Sequence, residues 1–167
     1  MKLKEIKINN FRCFGPETTT IEFEKLTTFI GANSSGKTAA ILALVKLFGT
    51  LPSEREIVRS DFHLPKGKRP DAVDNQELYI EAVFTFPELQ NSEETDSAIP
   101  AFFKYFVVAD EITEPYLRIR LEATYTNDGS VEGLIDSKYY FIVAPEGAEI
   151  SESVKKPANK TILSNIR

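Results

Sequence analysis

The chain has 167 residues, 42% hydrophobic and 27% charged, with a formal net charge of −5. That is one domain's worth of chain, able to bury a core, and too acidic for a self-sufficient DNA-binding surface, which needs a basic face to neutralise phosphates. Its single cysteine, Cys13, excludes a disulfide framework and a thiolate metal site. No apolar run approaches membrane-spanning length and no signal peptide opens the sequence, so a cytoplasmic protein without a membrane partner is expected.

In chain order, the first fifty residues read as strand, strand, strand, helix. The third strand is Thr27-Thr28-Phe29-Ile30, and it runs into Gly31-Ala32-Asn33-Ser34-Ser35-Gly36-Lys37-Thr38. This octet fits G-x-x-x-x-G-K-[ST] without a mismatch. Glycines let successive N–H groups turn inward toward a phosphate chain, and the following helix adds its unpaired N–H groups and the positive end of its dipole. Lys37 is placed to reach the β- and γ-phosphates, and Thr38 to offer its hydroxyl to Mg²⁺. Ala39, Ile41, Leu42, Leu44, Val45, Leu47 and Phe48 make the helix apolar on most of its surface, as burial behind a sheet requires. Gly49 and Pro52 end it. A chance match to the motif in such a chain is on the order of one in two hundred, and the strand before and helix after lower that further.

Residues 51–76 are polar and loop-like, punctuated by Pro52, Pro65, Gly67 and Pro70. His63, the only histidine, reads as a structural or solvated loop residue, with Asp61 bonding locally. Lys66-Gly67-Lys68-Arg69 and Lys155-Lys156 read as solvated loops. Residues 77–144 are mostly strand. Leu78, Ile80, Ala82, Phe84 and Phe86 share one face, and Leu117, Ile119, Leu121, Ala123 and Tyr125 alternate with Arg118, Arg120, Glu122 and Thr124. Asn127-Asp128-Gly129-Ser130 is a turn, with a partner strand returning through residues 139–143.

Mg²⁺-dependent hydrolysis by such a loop needs a carboxylate at the end of a buried strand. Phe106-Val107-Val108-Ala109-Asp110-Glu111 has that form, but Ile99, Phe102, Phe103 and Phe106 follow helical spacing into it. The expectation is a helix and a polar turn, with Asp110 and Glu111 outside the site. No residue is assigned a catalytic role.

The stretch "LKEIKINNFRCFG" followed by "IEFEKLTTFIGANSSGKT" resembles the opening of ABC-type ATPases related to chromosome-maintenance and DNA-repair proteins. More narrowly, "GANSSGKT", "LVKLFG", "SDFHLP" and "LRIRLEATYTNDGSVEG" are similar to the overcoming-lysogenisation-defect (OLD) family of ATP-dependent endonucleases. The resemblance implies that Gly31, Ala32, Asn33, Ser34, Ser35, Gly36, Lys37 and Thr38 bind ATP, that Thr38 meets Mg²⁺, and that Arg12 lies near the nucleotide. It implies as partners the remaining ATPase segments and a Toprim nuclease domain of the same polypeptide, a homo-oligomer, and DNA through the full-length protein. The signature segment, Walker B strand, switch histidine and Toprim acidic residues of that family are not recognisable in the chain.

The expected fold is therefore α/β: a P-loop ABC-type ATPase half-domain, with a mixed sheet around the P-loop helix and an adjoining antiparallel β region. Residues 1–65 are expected to form the ATPase core, 66–76 a loop, 77–150 the β-rich part of the same domain, and 151–167 a polar segment of an incomplete domain. The expected function is ATP binding, as the N-terminal fragment of an OLD-like endonuclease in anti-phage defence, without hydrolytic or nuclease machinery of its own. Two alternatives stand beside it. One is a nucleotide-holding module that recognises a partner protein through an exposed Arg118/Arg120 face. The other is a complete small P-loop kinase with Asp110 as its Mg²⁺ carboxylate.

Overall fold

A computed structural model describes residues 1–33, 35–69, 73–87, 103–109, 114–130 and 132–159. The strands are β1 (Lys2–Asn9), β2 (Thr19–Glu22), β3 (Asn75–Thr85), β4 (Val107–Val108), β5 (Tyr116–Thr126), β6 (Leu134–Ile142) and β7 (Lys155–Pro157), and the helices are α1 (Lys37–Phe48) and the short α2 (Pro52–Arg55). They form one sheet in the order β2-β1-β3-β5-β6-β7, with β4 beside β5. The fold class is the α/β P-loop ATPase type expected. In place of a mixed sheet beside a separate β region, every pairing among the described residues is antiparallel and the sheet is continuous.

The alternation of apolar residues sets which face is buried, because successive side chains on a strand point to opposite sides. Register then lines them up across four strands. Ile8, Ile80, Leu121 and Tyr139 form one row, and Ile6, Ala82, Ile119 and Phe141 the next. All eight are buried, and α1 lies over them. Ala39, Ala40, Ala43 and Leu47 are its buried apolar positions. Small residues bring the helix backbone close to the sheet, and Leu47 and Ala43 join the same core as the two rows.

Only one side of α1 is covered in this way. Ile41 is 51% exposed, and an apolar cleft opens between α1 and the sheet edge, lined by Leu3, Ile41, Leu44, Val45 and Phe48. Residues 27–30 are not a strand. Among the described residues no ladder pairs with them, and Leu26 and Ile30 are 85% and 90% exposed. A strand needs a neighbour to satisfy its amides, and none of the described residues pairs with this one.

The other face of the sheet carries charge, and here the expectation of an exposed Arg118/Arg120 surface is corrected. Arg118 is 4% exposed and Glu81 1%. Arg118 donates to Glu81 at 2.9 Å and to the carbonyls of Ala144 and Pro145 at 2.8 and 3.1 Å. Arg120 reaches Glu81 at 3.4 Å and lies 3.7 Å over the Tyr79 ring. The turn after β6 covers these groups, and Glu146 in it pairs with Lys4 and Lys7. Lys155, expected in a solvated loop, belongs to β7 and is held by Glu122 and Glu152 at 2.8 and 2.9 Å.

Of the segment expected to be helical before Asp110, Ile99 and Phe102 lie outside the described residues; Phe103–Tyr105 is a 3-10 turn, followed by β4, which pairs antiparallel with β5 at Leu117 and Tyr116. Asp110 and Glu111 lie outside the described residues, as does Ser34.

Candidate functional site

Residues 31–33 and 35–36 lead into the N-terminus of α1, which Lys37 and Thr38 open. Gly36 sits at the helix start with φ 92° and ψ −2°, a left-handed conformation that a Cβ disfavours. It is also hemmed in: a Cβ there would lie 3.2 Å from Cys13 Sγ and 3.5 Å from the Phe14 ring. A Cβ on Gly31 would meet Ser35 Oγ at 2.7 Å. Gly36 is thus favoured by the turn and by close approach together, whereas at Gly31 the neighbour is a serine hydroxyl that can rotate away.

Lys37 opens α1, and its ammonium folds back over the loop. It donates to the carbonyls of Gly31 at 2.7 Å and Ala32 at 2.6 Å, and to Ser35 Oγ at 3.3 Å. No acidic residue occupies the first turn of the helix, so nothing competes there with an incoming anion for the helix N–H groups. Beside the loop lies a cavity of about 510 Å³, lined by Arg12, Cys13, Asn33, Ser35, Gly36, Lys37, Thr38, Ala39 and Leu42. The structure therefore gathers Arg12, nineteen residues before Gly31, into one wall with Asn33, Ser35, Gly36, Lys37 and Thr38. Gly31 and Ala32 lie in the same loop, bonded to Lys37. Among the described residues no carboxylate lines this cavity, and no group of three His, Cys, Asp or Glu side chains is gathered for a metal.

Arg12 follows directly on β1, in a tight turn. Asn10 N donates to Gly15 O at 2.8 Å and Phe14 N to Phe11 O at 2.9 Å. Asn10 and Arg12 are the described non-glycine residues with positive φ, at 52° and 53°. The turn is gripped from residues 61–63. Arg12 N donates to Asp61 O at 2.8 Å, His63 N donates to Asn10 O at 2.8 Å, and Phe11 and Phe62 form an antiparallel bridge. The His63 ring donates from Nδ1 to Arg12 O at 2.7 Å. His63 is thus a pin for the turn. The motif did not point to Cys13, Leu42 or Asp61. Cys13 stands next to Arg12 in the sequence, but its approach to Gly36 is a tertiary fact.

A glycine-bounded loop at a helix N-terminus, a lysine folded over it, and a sheet of this topology define a P-loop ATPase domain. The chain belongs to the AAA ATPase domain family, whose profile spans residues 1–162. No curated protein matches it in sequence. Among solved structures it is similar to an SMC ATPase described for ATP-driven dimerization and DNA-stimulated activation, with TM-score 0.54 and 16% identity over 99% of this chain and 77% of that one. It is also similar to an Smc head bound to the C-terminal winged-helix domain of ScpA (TM-score 0.55, 15% identity, 99% of this chain, 40% of that one). A third is a Pyrococcus furiosus Smc head with an extended coiled coil, bound to the C-terminal domain of ScpA (TM-score 0.55, 16% identity, 99% and 32%). The chain spans well under half the length of the latter two.

Proposed function

We propose that the chain binds ATP with Mg²⁺ in the cavity beside residues 31–38, as the nucleotide-holding part of an ATP-dependent DNA endonuclease of the OLD kind. The observation that carries the binding proposal is Lys37. Its ammonium lies across the loop on the carbonyls of Gly31 and Ala32, in the wall of the cavity it shares with Arg12 and Thr38. Phosphate oxygens entering the loop would replace those carbonyls as acceptors, at gain, because a charge-assisted contact to an anion is stronger than one to a neutral carbonyl. Arg12 adds a second cation in the same wall, and the Thr38 hydroxyl would hold Mg²⁺ alongside phosphate oxygens. When bound, the metal neutralises charge developing on the β- and γ-phosphates.

Hydrolysis asks for more: a carboxylate to hold metal or orient water, and charge stabilisation at the γ-phosphate. The cavity wall supplies cations and hydroxyls. The remaining groups would come from further ATPase segments of the same polypeptide and from a second copy, in line with the ATP-driven dimerization described for the SMC neighbour. DNA cleavage, with a role in anti-phage defence, would be the work of a Toprim domain under ATP control. The burial of Arg118 and the tying of Arg120 to Glu81 and Tyr79 remove the feature that favoured a partner-recognising module.

Titrating ATP·Mg²⁺ into the wild-type chain and Lys37→Ala by calorimetry tests the site, and equal affinities would remove Lys37 from it. A phosphate-release assay tests the division of labour. The 167-residue chain should hydrolyse ATP at background rate. Turnover above background that Lys37→Ala abolishes would overturn the fragment proposal.

A further inference from the structure

We infer that Asp61 is the positioning residue that holds Arg12 in the wall of the nucleotide cavity; the inference rests on the nucleotide-binding proposal above. Asp61 is fully buried, and its two carboxylate oxygens have separate employments. Oδ2 meets Lys46 Nζ at 3.0 Å and accepts from Val58 N at 3.1 Å. Oδ1 accepts from Arg12 Nε at 2.9 Å and Arg12 Nη2 at 2.7 Å. An aspartate serving the fold alone would be complete with the first oxygen, which neutralises the largely buried Lys46 and closes the 3-10 turn at Arg59–Asp61. The second oxygen is given wholly to a guanidinium that is 35% exposed and lines the cavity.

The geometry of that contact matters. A guanidinium is planar, so fixing Nε and Nη2 on one carboxylate oxygen fixes the plane of the whole group. Nη1 has no partner among the described residues, and its donors remain for a ligand. The backbone is held to the same end. Arg12 keeps φ at 53°, a conformation costly for a side chain of this kind, and it does so because residues 61–63 clamp the turn on both sides. Over-determination of a strained residue is the pattern expected where position serves function. Asp61 lies forty-nine residues from Arg12, on the far side of α1 in the sequence. Lys46, in the last turn of α1, ties this support to the helix whose first turn carries Lys37. Lys37 and Arg12 are thereby anchored to one helix.

The ligand group this arrangement fits is an anionic phosphate oxygen, met by a cation whose orientation is set before binding. Pre-setting removes the ordering cost of a long side chain at the moment of binding.

A double-mutant cycle on ATP·Mg²⁺ affinity separates positioning from mere structure. Arg12→Ala should weaken binding by about tenfold, the scale of a lost charged contact. Asp61→Asn should weaken it by a similar factor in the wild-type background and by none in the Arg12→Ala background. An unchanged affinity in Asp61→Asn, or an equal loss with and without Arg12, overturns the inference. Should Asp61→Asn fail to fold, Arg12→Lys replaces it, because lysine keeps the charge but cannot make the two-nitrogen contact. Affinity as low as that of Arg12→Ala supports positioning, and wild-type affinity overturns it. Lys37→Ala serves as the reference throughout. If it binds ATP as the wild type does, the nucleotide site and this inference fall together. If only it weakens binding, the site stands and the role of Asp61 falls.

Discussion

Tyr139 donates its phenol hydrogen to the backbone carbonyl of Lys46 at 2.8 Å, joining β6 to the last turn of α1. The last four carbonyls of a helix have no partner within it, and Tyr139, 3% exposed, supplies one from the sheet. Tyr139→Phe keeps the ring and strands that carbonyl, at a cost of about 1 kcal/mol or somewhat more. Urea denaturation of the two proteins measures it. An unchanged midpoint would mean that water reaches the helix end.

The same phenol gives the fold an alkaline limb. Burial pushes the Tyr139 hydroxyl up to about 12, against a smaller opposing effect of the Arg55 charge. In the unfolded chain it ionises near its ordinary value of 10.0. The unfolded state therefore gains from ionisation first, and stability falls as pH rises from the lower value through the upper. Denaturation midpoints taken across that window should decline less steeply in Tyr139→Phe than in the wild type.

Glu146 gives an acid limb of opposite sense. Burial by itself would raise its carboxyl, but the Lys7 ammonium at 2.6 Å, with Lys4 behind it, outweighs that and brings it down to about 2. A lowered value means stability present above the unfolded pKa, near 4.5, and lost as pH falls through the folded one. Glu146→Gln should be less stable than wild type at neutral pH and should converge with it toward pH 2. Parallel stability curves would show that the pair contributes nothing.

The Glu81–Arg118 pair beneath the turn after β6 is a buried ion pair, and such pairs are costly to break from one side. Arg118→Met should destabilise by about 3 kcal/mol, since Glu81 is left with the longer contact to Arg120. Adding Glu81→Met should recover part of that loss. Additive losses in the double variant would contradict the account.

Cys13 offers a direct footprint of the cavity. It is the chain's only thiol, it is exposed, and it lines the cavity with Lys37 and Thr38. Maleimide labelling followed by mass should slow with ATP·Mg²⁺ in the wild type and not in Lys37→Ala. Labelling at one rate with and without nucleotide would place ATP elsewhere or nowhere.

Legibility in the sequence followed the range of the interactions. The loop at the start of α1 is legible because its pattern lies within eight consecutive positions, and the β5 alternation because its period is local. Composition alone makes residues 27–30 look like a strand. What makes a strand is a neighbour, and pairing partners are not written in the segment itself. Alternation likewise showed that Arg118 and Arg120 share a face. It could not show that Ala144, Pro145 and Glu146 return over that face. The apolar spacing through Phe103 and Phe106 suggests a helix, whereas the described part of that segment is a 3-10 turn and a two-residue strand. Asp61 was read as a local partner. Its bond to Arg12 spans forty-nine residues, a separation at which no periodicity carries a signal.

The order of the elements along the chain has a consequence for synthesis. Helix α1 ends at Phe48, yet most of the surface it lies on comes later, on β3, β5 and β6, and is complete only at Ile142. A ribosome covers that interval in roughly 5 to 20 seconds. Until β3 is made Ala43, Leu47 and their neighbours have mainly β1 for shelter, and cover stays partial until β6, so a chaperone that binds short apolar helices would find its target there. Aggregation of the nascent chain should therefore respond most to the speed of translation between the helix and β6, a stretch far from the residues it leaves exposed.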